Sequence, residues 1–341
     1  MHHTESPSLQ REEPRRPAFL RARLALAALL GLSACTSDAG DPTPLRLIFD
    51  TPVELPAPTP SLSMHLEVIP DAAPTLTVPP PRSDPSKFNE VFWTAPEPKT
   101  AGQLASNWGV GFGALLALNP DLDPDTLLDA GTKIRVYRHD PAHPPQSIGS
   151  PNRGKLRNAM PLPEGDSWRL RPMRRRAWGT HTTVAALVDA FEAYGATYPD
   201  GPKIRMGEIA KRTGGRVSPH ASHRSGRDVD IGYISKGNDD GTDRWRYMSE
   251  RTFDAEKNWF LIQEILKTGE VQTIYISRKL QKLLHAEAAK TLSDEQLARL
   301  FEYPRTSESA HATLQHWRGH HNHMHVRFRC EPGNRRCRAR G

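Results

Sequence analysis

Gly226-Arg227-Asp228-Val229-Asp230-Ile231-Gly232 alternates acidic and branched apolar side chains, and His323-Met324-His325-Val326-Arg327-Phe328 repeats the alternation with imidazoles. Successive side chains on a strand point to opposite faces. Asp228 and Asp230 therefore share one face of a predicted strand, and His323, His325 and Arg327 share one face of another. The opposite faces, Val229 and Ile231 on one segment and Met324, Val326 and Phe328 on the other, are apolar and are expected to pack on a core. Both segments read as half-buried strands whose polar faces line a cleft. Burying carboxylates and imidazoles together is costly unless they pair or bind a metal. That ligand set suits zinc, and three protein ligands leaving room for a water is the usual catalytic arrangement. Gly226 lets the loop that carries His223 fold back toward Asp230.

Around these segments the C-terminal part of the chain is mixed. A helix is expected over 182–194, with Val184, Leu187, Val188 and Phe191 on one stripe. Strands are expected over 203–209 and 271–277, and helices over 253–267 and 278–290. Strands interspersed unevenly with helices predict an α+β domain built on an antiparallel sheet. Six of the fifteen histidines fall between His311 and His325, a density that packing does not require.

The His223-to-Asp230 spacing followed by His323-x-His325 resembles the LAS group of zinc peptidases, with its hedgehog/DD-peptidase-like fold. The run from His220 to Ile231 and the run from Gly319 to Arg327 are similar to those of the penicillin-insensitive murein endopeptidases, as are Trp178-Gly179-Thr180 and Asn158-Ala159-Met160. The resemblance covers residues 152–337. It implies one zinc held by His223, Asp230 and His325, with His323 as general base or assisting histidine. His320 matches a further histidine near the family's site and is carried as catalytic. His220 has either a supporting role or a place at a second metal. Some members bind a second zinc partly through an Asp-x-x-His downstream of the first motif. Here no histidine lies between His223 and His285, so such a site is missing or rebuilt. Asp228 fits metal support and orientation of an imidazole equally well. His220, His311, His316 and His321 also fit surface or supporting positions. The chain contains no Ser-x-x-Lys, Gly-x-Ser-x-Gly or His-Glu-x-x-His, so no acyl-serine is expected and β-lactams should not inhibit.

The N-terminal part is organised differently. Arg11, Arg15, Arg16, Arg21 and Arg23 precede an apolar and small run from Leu24 to Ala34, too short to span a bilayer. Leu32-Ser33-Ala34-Cys35 resembles a bacterial lipobox. It predicts a signal peptide at 1–34 and a lipid on Cys35, with membrane attachment through that anchor. No Asp directly follows Cys35, so the expected place is the periplasm, at the outer membrane of a Gram-negative bacterium. Fourteen prolines lie between Pro42 and Pro98, and proline removes backbone donors and fixes φ. Residues 35–89 therefore read as an extended, disordered tether. Residues 90–138 read in the order β-α-α-β, with Thr100 as a helix cap and Gly109-Val110-Gly111 as a break. Leu115-x-x-Leu118-Asn119-Pro120 followed by Leu128-x-x-Gly131-x-x-Ile134 resembles the second half of a LysM domain, which implies binding of peptidoglycan glycan. Pro98-Lys99-Thr100 stands where that family has Gly-Asp-Thr. Residues 139–151 read as a second linker and 152–341 as the enzyme domain.

Composition fits this division. The 341 residues carry a formal charge of +7, 31 prolines and three cysteines, with 37% apolar residues. A mean hydropathy of −0.62 excludes a protein of many membrane spans. Three cysteines are too few for a disulfide scaffold. Cys35 is assigned to the lipid, and Cys330 and Cys337 could close a small loop in an oxidising compartment. The arginines of 153–176 and of 327–340 form either a cationic rim for stem-peptide carboxylates or a solvated basic face. A secreted chain seldom meets nucleic acid, so that partner is not expected. The expected function is a lipid-anchored zinc endopeptidase acting on cross-linked stem peptides of the cell wall. Its rivals are a non-catalytic wall-binding lipoprotein with a structural metal and a D,D-carboxypeptidase on the same scaffold.

Overall fold

A computed structural model describes residues 88–171, 174–237, 241–242, 244–305 and 312–340. The signal peptide, Cys35, nearly all of the tether and His311 lie outside the described residues.

The N-terminal described unit forms strand β1 (Glu90–Thr94), helix α1 (Ala101–Trp108), helix α2 (Phe112–Leu118) and strand β2 (Lys133–Arg138), with β1 and β2 antiparallel. Thr100 caps α1 by accepting from Gln103 N, and the Gln103 side chain accepts from Thr100 N in return, which satisfies two orphan donors of the first turn. Gly109 ends the helix at φ 66°, a conformation that favours glycine. The Asn119 side chain staples the end of α2 to β2. It donates to Leu115 O and Arg135 O and accepts from Arg135 N, each at 2.9 Å.

Tryptophans join this unit to the C-terminal domain. The Trp178 indole donates to Trp108 O at 2.8 Å, and Trp93, Trp108 and Trp178 meet edge to face in succession. The stretch read as a second linker is partly ordered into a strand, since Gln146–Ile148 pairs antiparallel with Lys155–Arg157. Ser147 and Leu156 stand opposite each other in this ladder and are both buried.

The central sheet carries four strands in the order β3 (Asp228–Gly232), β6 (His323–Phe328), β4 (Val271–Ile276) and β5 (Leu314–His316). Its first two pairings are antiparallel and the last, β4 with β5, is parallel. The sheet is therefore antiparallel except at that edge. The parallel return is made by helix α5 (Arg278–Ala288) and helix α6 (Asp294–Leu300). A parallel neighbour needs a crossover of this kind. Helix α3 (His181–Thr197) packs on α4 (Ala255–Lys267), and α4 on α5. Val184, Leu187, Val188 and Phe191 of α3 are buried, as are Val229, Ile231, Met324, Val326 and Phe328 of the sheet. The expected strand over 203–209 is only Ile204–Arg205, beside Trp168–Arg169. It then continues along β3 through a bridge between Met206 and Ile231. The β3 strand thus has neighbours on both edges, and its acidic face is as buried as its apolar one.

Candidate metal centre

The register of β3 and β6 sets the site. Asp228 stands opposite Arg327, and Asp230 opposite His325, so both carboxylates meet basic partners across the ladder. His325 Nδ1 donates to Asp230 Oδ1 and Nε2 to Asp228 Oδ1, each at 2.9 Å. Arg327 Nε donates to the same Asp228 oxygen at 2.7 Å.

His223 enters from the loop before β3. Its backbone is left-handed, φ 61°, beside Gly226 at φ 78°. Positive φ in a residue with a side chain is costly and persists where the surroundings impose it. Here the imidazole is fully buried, and its Nδ1 donates to Ile209 O at 3.0 Å. That bond turns Nε2 toward Asp230 Oδ1, 3.2 Å away. His220, three residues earlier, places Nδ1 at 3.5 Å from Asp230 Oδ2 and Nε2 at 3.7 Å from Glu208 Oε2. His323 points Nε2 at Asp230 Oδ1 from 3.8 Å, while its Nδ1 donates to Asn322 Oδ1 at 2.7 Å. His320 donates from Nδ1 to the carbonyls of Trp317 and Arg318, and its ring lies 4.9 Å from that of His323.

Electrostatics sort these groups into charged and neutral. Burial alone would raise the Asp228 and Asp230 carboxyls. For Asp228 the proton and charge of His325, with Arg327 beside it, override burial; for Asp230 His223 does so first and His325 after it, and both carboxyls are held below the ordinary range. Burial would lower His325, but its hydrogen bonds to the two carboxylates raise it to about 9. Burial lowers His323 to about 4, and it also lowers His220 and His320. The centre is thus two carboxylates, one imidazolium between them and three imidazoles held neutral.

Two buried atoms fit a cation. Asp230 Oδ2 and His223 Nε2 are enclosed yet make no hydrogen bond among the described residues, a costly state for ligand atoms that hold no ion. His220, His223 and Asp230 offer atoms all within 4.8 Å of one another. His325 Nδ1 stands on the same Asp230 carboxylate, with its proton where a cation's charge would act. The donor set is one that binds transition metals.

Glu208 and Trp245 belong to this surround and were not singled out by sequence. Glu208 is buried beside His220 and accepts from Arg171 and Arg176. It lies in a segment that reads as an ordinary strand. Trp245 stacks on His323 from an irregular loop that carries no periodic signal. Several arginines of the expected cationic rim have internal partners instead: Arg171 and Arg176 on Glu208, Arg174 on Glu164 and Arg327 on Asp228. His316 is supporting, as its Nδ1 accepts from Arg278 N at the start of α5. Cys330 and Cys337 are joined in a disulfide.

An α+β domain that gathers imidazoles and ionised carboxylates around buried ligand atoms without a hydrogen bond has the arrangement of a metallopeptidase site. Residues 147–341 match the penicillin-insensitive murein endopeptidase family, and the chain belongs to that family. A penicillin-insensitive murein endopeptidase of Yersinia enterocolitica is 27% identical over 253 residues, covering 67% of this chain and 80% of the relative. One from Pectobacterium atrosepticum is 26% identical over 230 residues, covering 62% and 76%.

Proposed function

We propose that this chain is a zinc-dependent murein endopeptidase, anchored by a lipid on Cys35 in the periplasm and hydrolysing peptide cross-links of the cell wall. The observation that carries the reading is the pair of buried atoms on His223 and Asp230 that make no hydrogen bond among the described residues, within a domain that belongs to this family.

His223, Asp230 and His325 would hold the ion, through His223 Nε2, the Asp230 carboxylate and His325 Nδ1. The chemistry a bound zinc supplies is activation of water near neutral pH and polarisation of the scissile carbonyl. Ile209 O fixes the His223 tautomer, and Asp228 fixes that of His325. His323 is neutral, with its Nδ1 proton committed to Asn322. Its Nε2 is therefore free to take a proton from the attacking water and return it to the leaving amine. His320 packs beside that ring and would assist it. No serine is acylated, so β-lactams have nothing to trap. One zinc suffices for this scheme.

The unit over 90–138 is proposed to act as a LysM-like module that binds glycan. Support comes from its β-α-α-β order and from the Asn119 staple that ties the Leu-Asn-Pro turn to β2. Packed on Trp178, it would hold the enzyme domain close to its polymer.

The test is release of monomeric muropeptides from cross-linked dimers by protein lacking residues 1–40. Cleavage should occur with zinc, stop with chelator and continue with penicillin. Failure of the zinc-loaded protein to cleave dimers would overturn the reading.

A further inference from the structure

We infer that Trp245 is a positioning residue for His323, and that Arg171 holds Trp245 in place. The inference rests on the reading of His323 as the proton-transfer group.

The His323 ring needs an external support. Rotation about the bond to a planar ring is broad, and the ring's own hydrogen bond goes to the adjacent Asn322, which fixes one edge only. Its face lies on Trp245, with centroids 4.6 Å apart and planes inclined by 25°, and the His320 ring lies 4.9 Å away, tilted by 45°. The indole therefore decides the plane in which His323 presents Nε2.

Trp245 is itself seated by specific neighbours. A Cβ at Gly207 would overlap the indole ring, and one at Gly232 would lie 2.9 Å from the indole nitrogen. Both positions are thus open only because they are glycine. The indole N–H finds no acceptor among the described residues, so packing rather than a hydrogen bond sets its place. The Arg171 guanidinium lies over the indole at 4.5 Å, a favourable cation–π placement. Arg171 is fixed in turn by Glu208 at 3.2 Å. Nearby, Thr242 O accepts from Arg205 Nε at 2.9 Å and Arg169 Nη1 at 3.3 Å, which pins the approach to Trp245. The contacts close a circuit: Asp230, His220, Glu208, Arg171, Trp245, His323 and back to Asp230.

The experiment uses the full chain loaded with zinc and labelled at histidine. Stacking on an indole shifts ring protons upfield, so the His323 resonances should move downfield in Trp245→Ala and stay near wild type in Trp245→Phe. On cross-linked muropeptide dimers, Trp245→Ala should lose about 10- to 100-fold in kcat, with KM changed by less than about threefold. Trp245→Phe should recover most of the loss, Arg171→Met should fall between, and zinc content should equal wild type in all three. The inference is overturned if Trp245→Ala keeps wild-type kcat, if its loss follows a loss of zinc, or if the phenylalanine variant is equally impaired. If the wild-type chain cleaves no dimer, the endopeptidase reading falls. The resonance shift still decides whether Trp245 sets the His323 ring.

Discussion

Asp228 Oδ1 accepts the His325 Nε2 proton at 2.9 Å, and that single bond decides which imidazole nitrogen is left for Asp230. Asp228 is fully buried and also takes the Arg327 proton, so it cannot turn away. The role proposed for it is orientation of the His325 ring. Asp228→Asn can present its amide N–H to His325 and weaken the preference for the Nε2–H tautomer. Zinc affinity, measured by competition with a chromophoric chelator, should fall about 10- to 100-fold. Unchanged affinity would remove Asp228 from the centre.

In the proposed ligand set, His220 and His325 are alternatives for the same place. His220, His223 and Asp230 offer ligand atoms within 4.8 Å of one another, whereas His325 shares the Asp230 oxygen that faces His223. His325 is buried and doubly fixed, while the His220 side chain is 23% exposed. Fixed ligands bind more tightly because less ordering is needed on binding. His325→Ala should abolish zinc retention through dialysis and with it dimer cleavage. His220→Ala should retain the ion with affinity within about tenfold of wild type. The reverse order would assign the third ligand to His220.

Stability of the metal-free protein should depend on pH through Asp228, Asp230 and His325. His325 is raised from 6.5 to about 9. The stability it contributes is complete below about pH 6.5 and is lost as pH rises through about 9. Asp228 and Asp230 are lowered from 3.8, so their contribution is present above about pH 4 and is lost in acid. Urea midpoints of wild type and His325→Gln, compared from pH 5 to pH 10 in chelator, should converge toward pH 10. A constant difference across that range would show that the imidazolium is not held between the carboxylates.

What could be read from sequence was whatever repeats along the chain. Period two in Asp228–Ile231 and His323–Phe328 placed both strands and their polar faces, and the observed register brings those faces together. The stripe Val184, Leu187, Val188 and Phe191 placed α3. Short-range chemistry placed Thr100 and Gly109 at the ends of α1. What could not be read depends on contacts between distant segments. The Leu314–His316 strand is three residues long and gains its identity from parallel pairing with β4. Glu208 draws its meaning from Arg171, Arg176 and His220, none of which is near it along a strand period. Trp245 is one aromatic in a polar loop until Gly207 and Gly232 are seen beneath it.

Arg227 stands beside Asp228 but points to the opposite side of the sheet. It is fully buried, and its guanidinium donates to Ser147 Oγ, Phe328 O and Arg338 O at 3.1, 2.7 and 2.8 Å. These acceptors belong to the Gln146–Ile148 strand, the end of β6 and the C-terminal tail. The Cys330–Cys337 disulfide closes the tail loop just before Arg338, and Asn334 of that loop donates to Ser147 O. Arginine and disulfide thus restrain the same segment. Arg227→Met should destabilise by about 3 kcal/mol, since charged hydrogen bonds to buried acceptors are lost. Replacing both cysteines by serine should cost about 2 to 3 kcal/mol from loop entropy. Because the released tail gives up the Arg338 contact in either case, the combined variant should fall short of the sum by about 1 kcal/mol. Denaturant titrations of the four proteins measure this directly, and strict additivity would mean that Arg227 and the disulfide hold the tail independently.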